Sequence, residues 1–376
     1  KRLNATPAII TKWLDHPSFD EYWQRGSVCL NYEAIQCPTY LVGGWADAYV
    51  NPIGRLLEHL NVPRKALIRR WGHTYPQFGS AGDIDWAAEE AEWWHQHLHT
   101  SAEQWTTSPV LQYDETRHPV STAAELPESQ WRAVTSGPGQ SRQERVFRFS
   151  TDGLEPAHSP ERKDKAETQN TATFTSGKPV GLCTPEWSDF TPVEQSADDT
   201  NSLCFDSLPL TDSFSLLGYA QVQLTVATTN PQATLSARLC DVDPSGHSHL
   251  VSFANLSLQA TGETDHRLPE DTFCCVTLSL RMAGHLFNAG HRIRLSLAEG
   301  LWPMTVVSVL PTTFVFDLPY CALTLPTPAT QFSEASDSTS KLFLPPTRVR
   351  EPESGRRQQA KPPELNDVGI YHYTQS

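Results

Sequence analysis

The sequence predicts a layered α/β unit followed by an all-β sandwich. Two observations carry this reading. Short apolar runs alternate with segments of helical period over residues 1–105, and from about residue 106 the apolar period drops from 3.6 to 2. A third sets the limit of the fold: residues 329–376 are rich in Ser, Pro, Glu and Arg and carry no period, which marks a flexible tail or linker.

In the first unit, TYLVGG (39–44) is a continuous apolar run closed by glycines. That suits a strand buried on both faces, as in a parallel sheet. PIGRLLEHLN (52–61) places Pro52 at the start of a helix whose apolar set is Ile53, Leu56, Leu57 and Leu60. KALIRRW (65–71) reads as a second buried strand. DIDWAAEEAEWWHQHL (83–98) spaces Ile84, Ala87, Ala91, Trp94 and Leu98 three and four apart, the apolar face of an amphipathic helix.

In the second unit, QVQLTV (221–226), LSARL (235–239), VTLSLRM (276–282) and HRIRLSL (291–297) alternate strictly between apolar and polar residues. Such strands bury one face and wet the other, so they build antiparallel sheets. Turn chemistry lies between them at DPSG (243–246) and NAGH (288–291). Many strands without helices indicate a sandwich or jelly roll. The polar stretch 155–175 reads as an exposed loop.

Bulk composition narrows the partners. A net charge of −14 argues against nucleic acid and against anionic membranes, both of which need basic patches. No run of about 18 apolar residues is present for a membrane helix. The eight cysteines form no C-x-x-C pair and are too sparse for a disulfide scaffold, so they read mostly as buried small apolar residues. The run His95, His97, His99 cannot face one ion from a helix, because alternate residues point about 200° apart. No metal and no cofactor are expected.

Two loops carry candidate chemistry. LVGGWADAYVNP (41–52) sets Asp47 just beyond the first strand, and RRWGHTYP (69–76) sets His73 just beyond the second. Loops at the carboxyl ends of parallel strands meet at one edge of a sheet, so the two side chains can come within hydrogen-bonding reach. An acid beside a histidine fixes the imidazole tautomer and stabilises the imidazolium formed when a nucleophile is deprotonated. An Asp after a strand also serves as a turn or helix cap, and both readings stand at this point. Trp45 and Tyr49 flank Asp47; they line a substrate pocket or pack beneath the loop.

WLDHPSFDEYW (13–23), LVGGWAD (41–47), RRWGH (69–73) and EWWHQHL (92–98) resemble segments of the Xaa-Pro dipeptidyl-peptidase and cocaine-esterase-like (CocE/NonD) hydrolases. LCFDSLPLTDSFSLLGYAQVQLTV (203–226), ARLCDVDPSGHS (237–248), AGHRIRLSL (289–297) and LWP (301–303) resemble that family's C-terminal jelly-roll domain. The resemblance implies the C-terminal half of an α/β-hydrolase domain over 1–105 and a jelly-roll sandwich over 106–328. It implies Asp47 as triad acid and His73 as triad base. RRWGH departs from the Gly-Pro-Trp-x-His of many members but keeps the histidine in place.

The family's nucleophile sits in a G-x-S-x-G elbow, and no such motif occurs here. GSAG (79–82) has its serine one position early, and GHSHL (246–250) lacks the second glycine. The family's oxyanion donors also lie upstream of the acid. The expectation is therefore the C-terminal portion of a serine hydrolase acting on small ester or peptide substrates, inactive on its own. Loss of the nucleophile costs about four orders of magnitude or more. Its partial sheet is expected to expose a strand edge prone to association, with homo-oligomers left open. The rival reading is a non-catalytic jelly-roll protein that binds carbohydrate or protein. Compartment, and peptidase against esterase or acylase, stay open.

Overall fold

A computed structural model describes residues 8–328 except 17, 79–83, 106–109, 119–127, 136, 139–141, 158–169, 182–193, 259–271, 306 and 309–310. It also describes the strand pair Glu364–Leu365 and Tyr371–His372. The GSAG serine, residues 158–169 of the expected 155–175 loop and most of the expected tail lie outside the described residues; the ends of that expected loop are not loop but fall in the strands Gly153–Pro156 and Thr171–Thr175.

The fold is mostly β-sheet with few helices. Helices α1 (Ile9–Leu14) and α2 (Glu21–Gln24) precede strand β1 (Thr39–Gly44), helix α3 (Val50–His59), strand β2 (Arg64–Arg69) and helix α4 (Trp86–His99). β1 and β2 pair in parallel, as their apolar runs predict. α3 opens two residues earlier than expected and buries Val50, Ile53, Gly54 and Leu57 against the sheet. β2 is largely buried, but β1 is only half-buried, and among the described residues it pairs with β2 alone.

Helix α4 turns a different face inward than its apolar stripe predicts. Trp94 and Leu98 are 52% and 68% exposed, whereas Glu89 is buried. Its carboxylate accepts from the Tyr40 hydroxyl at 2.7 Å and from Lys65. Trp86 and Trp93 stand against the Tyr40 ring. A paired buried charge thus outweighs the apolar stripe in setting the helix rotation.

The first sheet does not end with the α/β segment. Strand β3 (Leu111–His118) adds to β2 in parallel, and β4 (Glu128–Val134) pairs antiparallel to β3. Two strands from far along the chain then complete it: β14 (Ala283–Phe287) beside β3, and β9 (Phe214–Gly218) beside β14. β3 does not read as a parallel interior strand because it carries Gln112, Asp114 and Glu115. All three are buried, and the two acids are matched by Arg69, Arg70 and Arg132.

The remaining strands form two antiparallel sheets. One holds β5 (Arg142–Ser150), β6 (Gly153–Pro156), β7 (Thr171–Thr175), β10 (Gln221–Thr228), β13 (Cys274–Ser279), β16 (Thr313–Asp317) and β17 (Ala322–Pro328). The other holds β8 (Leu203–Asp206), β11 (Thr234–Val242), β12 (Ser248–Ser257) and β15 (Arg292–Glu299). β10, β11, β13 and β15 are the four segments whose alternation predicts strands. Inward residues of both sheets, among them Val222, Leu224, Leu239, Leu295, Phe314 and Leu323, share one core. The turns form as predicted, with Gly246 and Gly290 at φ of +93° and +83°. The cysteines do not: Cys240 and Cys321 are buried, but Cys29, Cys37 and Cys275 are exposed.

A buried charge links the smaller sheet to the first. Asp241 on β11 is 0% exposed. Its two oxygens lie 2.8 Å from His285 Nε2 on β14 and 2.8 Å from His291 Nδ1. These hydrogen bonds hold the Asp241 carboxyl below its ordinary 3.8, against the opposing effect of burial. The bond to Asp241 raises His291 above its ordinary 6.5, with Asp243 adding attraction. A raised histidine stabilises fully below its unfolded value and loses that contribution as pH rises through its folded value. The lowered carboxyl does the reverse at acid pH. The melting temperature is therefore expected to fall as pH rises from 6.5 through the folded value of His291. Asp241→Asn should lower stability by about 3 kcal/mol and flatten that slope. Thermal melts across pH read both, and an unchanged slope in the variant would assign the dependence elsewhere.

Candidate active site

The acid loop leaves β1 at a glycine that geometry requires. A Cβ on Gly44 would lie 1.8 Å from the Trp71 carbonyl oxygen, so only glycine lets the two loops run this close. The Trp45 amide donates to the Arg69 carbonyl at 2.7 Å, and the Ala46 amide to the Trp71 carbonyl at 3.1 Å. Asp47 follows in a turn. Its Oδ1 accepts the Tyr49 amide at 2.9 Å, and its carbonyl accepts the Val50 amide at the start of α3. Asp47 therefore fills the local turn role that its position suggests.

It does more than that. His73 Nδ1 lies 3.2 Å from Asp47 Oδ2 and 3.3 Å from Oδ1. With a carboxylate as acceptor, Nδ1 carries the hydrogen, and Nε2 is left to accept or give a proton. The Asp47 side chain is 14% exposed and that of His73 is 53%. A screened acid thus orients a solvent-facing imidazole. Trp71, two residues before His73, is buried and anchors the base loop.

The flanking aromatics separate into two roles. Trp45 turns inward: its indole N–H donates to the Asp114 carbonyl at 2.7 Å, and its ring meets Tyr113 edge-on. Tyr49 is 58% exposed, with its ring centre 5.3 Å from that of His73.

Three supports of the site are not among the candidate residues that sequence reading singles out. Asp114 on β3, 1% exposed, offers its carbonyl to Trp45 and its carboxylate to Arg70 Nε at 2.9 Å. It so touches residues two before Asp47 and three before His73. Arg281, between β13 and β14, donates from its guanidinium to the Asp47 carbonyl. Asn51 accepts the Met282 amide at 2.8 Å on its side chain and the Tyr219 hydroxyl on its carbonyl. For Asp114 the available signal was the arginine pair beside the base loop. For Arg281 there was none.

Among the described residues no group of three or more His, Cys, Asp or Glu is arranged to hold a metal ion. Ser248 of GHSHL is buried on β12, its amide held by Glu194.

Comparison with known proteins places this geometry in context. Residues 103–328 match the family model for the X-Pro dipeptidyl-peptidase C-terminal non-catalytic domain, and residues 1–75 match that for the X-Pro dipeptidyl-peptidase S15 family. Cocaine esterase of Rhodococcus sp. (strain MB1 Bresler) is 22% identical over 328 residues, covering 79% of this chain and 54% of that protein. The chain thus spans about half the length of this curated relative. Among solved structures, an alpha-amino acid ester hydrolase superposes with a TM-score of 0.66 at 16% identity, over 86% of this chain and 61% of its own. An aminopeptidase from the marine sediment archaeon Thaumarchaeota archaeon gives 0.65 at 16%, over 85% and 59%. A CocE/NonD family hydrolase from Staphylococcus aureus gives 0.63 at 12%, over 85% and 59%. At these identities the likeness is one of fold.

The packing beneath the acid loop can be tested directly. A Cβ on Gly284 of β14 would lie 2.6 Å from the Trp45 ring and 2.8 Å from that of Tyr113. Gly284→Ala should therefore lower stability by about 1–3 kcal/mol, the usual cost of overpacking, and shift the Trp45 fluorescence. Urea titration followed by tryptophan emission checks it. A variant as stable as the wild type would mean that these rings do not set the loop.

Proposed function

This chain belongs to the Xaa-Pro dipeptidyl-peptidase and cocaine-esterase-like hydrolase family, and we propose that Asp47 and His73 are the acid and base of a Ser–Asp–His triad that cleaves amide or ester bonds. The observation that carries this is the contact of His73 Nδ1 with the Asp47 carboxylate at 3.2 Å, with the imidazole half exposed. The nucleophile would be a serine in a G-x-S-x-G elbow preceding Lys1, since none of the 376 residues given supplies that motif.

In this reading residues 1–105 are the C-terminal part of an α/β-hydrolase domain, residues 106–328 a jelly-roll sandwich, and residues 329–376 a tail or linker. The half-buried β1, paired with β2 alone among the described residues, supports a sheet continued by further strands.

The chemistry follows from the geometry. A substrate carbonyl carbon is attacked by the serine oxygen as His73 Nε2 takes the hydroxyl proton. The imidazolium is held by the Asp47 carboxylate at Nδ1 and gives the proton to the leaving amine or alcohol. Water then enters by the same route and releases the acid, restoring the serine. No cofactor or metal takes part in these steps. Tyr49, exposed beside His73, is the residue we place against the substrate, while Trp45 holds the loop from below. The substrate class is a small ester or peptide, and no nucleic acid or membrane is needed as partner. An exposed β1 edge would also support homo-oligomers of the isolated chain.

A fluorophosphonate probe tests the reading. In the protein extended to include the segment before Lys1, it should label a single serine. His73→Ala should cut kcat by roughly 10⁶-fold and Asp47→Asn by roughly 10⁴-fold. The present chain alone should take up no label. Failure of the extended wild type to react would overturn the hydrolase assignment and favour a non-catalytic binding protein.

A further inference from the structure

The segment that carries Asp47 is held from two sides. Toward β2 its backbone bonds to Arg69 and Trp71. On the other side Ala46, 4% exposed, and Ala48 pack into an apolar cluster with Val180, Leu250, Phe253 and Leu301 of the β-rich unit. Arg281 completes this second side. Its guanidinium donates to the Asp47 carbonyl across 234 residues of sequence.

Arg281 is itself tightly seated. Its amide donates to the Phe253 carbonyl at 3.1 Å, and its carbonyl accepts the Ser252 hydroxyl at 2.6 Å. The guanidinium lies 5.2 Å from the centre of the Phe253 ring. Burial lowers its pKa to about 10, with the attraction of Asp47 acting the other way, so it keeps its charge at neutral pH. Holding a peptide carbonyl needs no buried cation, because a neutral amide would serve. A charged donor next to a carboxylate does something more: it fixes the peptide and adds attraction to the acid it carries.

We propose that Arg281 is a positioning residue of the Asp47–His73 pair, through which the β-rich unit sets the acid against the base. This rests on the triad reading above. It gives residues 103–328, matched to a domain described as non-catalytic, a direct part in the geometry of the site.

The test has two arms. On the present chain, hydrogen exchange is followed at the amides of residues 45–50 in wild type, Arg281→Met and Arg281→Lys. Arg281→Met keeps most of the side-chain volume and should speed exchange there about tenfold, while amides of β11 and β15 stay as in the wild type. Arg281→Lys keeps charge and a donor, and should restore most of the protection. In the extended protein, Arg281→Met should cut kcat about tenfold with KM within about twofold, and Arg281→Lys should recover it. Unchanged exchange at 45–50 in a folded Arg281→Met would overturn the proposal, as would a uniform rise across β11 and β15, which marks a merely structural residue. An inactive wild type with normal loop exchange overturns the triad reading instead, because the first arm needs no reaction.

Discussion

The buried carboxylate of Asp114 is the constraint on which the site depends. It sits on β3, in the interior of the first sheet, where an unpaired charge would cost several kcal/mol. Arg70 at 2.9 Å and Arg69 at 3.6 Å offset that cost; Arg69 ends β2 and Arg70 follows it directly. The same residue's carbonyl holds the Trp45 indole. One interior residue thus fastens the strand ends from which acid and base project. Removing a guanidinium would leave an uncompensated charge in the sheet rather than merely loosen a loop. Arg69 and Arg70 of RRWGH thus carry this ion pair beside the loop of His73.

Much of this was legible in the sequence, for physical reasons that can be named. Strand, acid, helix, strand, histidine is an order that brings two loops to one sheet edge, and Asp47 meets His73 there. Strict alternation marked β10, β11, β13 and β15 as strands, but the wet face it implies is seen only on β10 and β13; β11 and most of β15 are buried on both faces, their polar residues taken up by buried partners. β3 escaped because a strand with three charged residues reads as exposed until its partners are known. The rotation of α4 escaped for the same reason: Glu89 is buried against Tyr40 and Lys65, from strands β1 and β2. Arg281 escaped because its contact joins residues 234 apart, and no local pattern encodes such a pairing. Periodicity reports what water does to a single element; it does not report which charges meet inside.

The two units are less separable than their composition suggests. β14 and β9 come from the β-rich part, yet they extend the sheet begun by β1 and β2. β9 shows how this works within one strand. Phe214 and Leu216 face the sandwich core, while Leu217 faces the cluster built on α3, β2 and β3. Alternation along a strand lets it serve two cores at once. Asp241 adds a polar tie, since its carboxylate joins β11 to His285 on β14.

This shared sheet bears on how the Asp47–His73 pair stays ordered when Asp47 lies on an irregular loop. A five-residue connection has few backbone partners of its own, and its entropy of ordering is of the order of 1–2 kcal/mol per residue. Offsetting that needs contacts from more than one direction. The β2 end supplies two backbone bonds, Asp114 supplies the Trp45 anchor, and the β-rich unit supplies the Ala46 cluster and Arg281. Each of these reaches the loop from an element already fixed in a core. The loop is therefore held by its surroundings as well as by its own turn at Asp47, and the contacts on it come from both units.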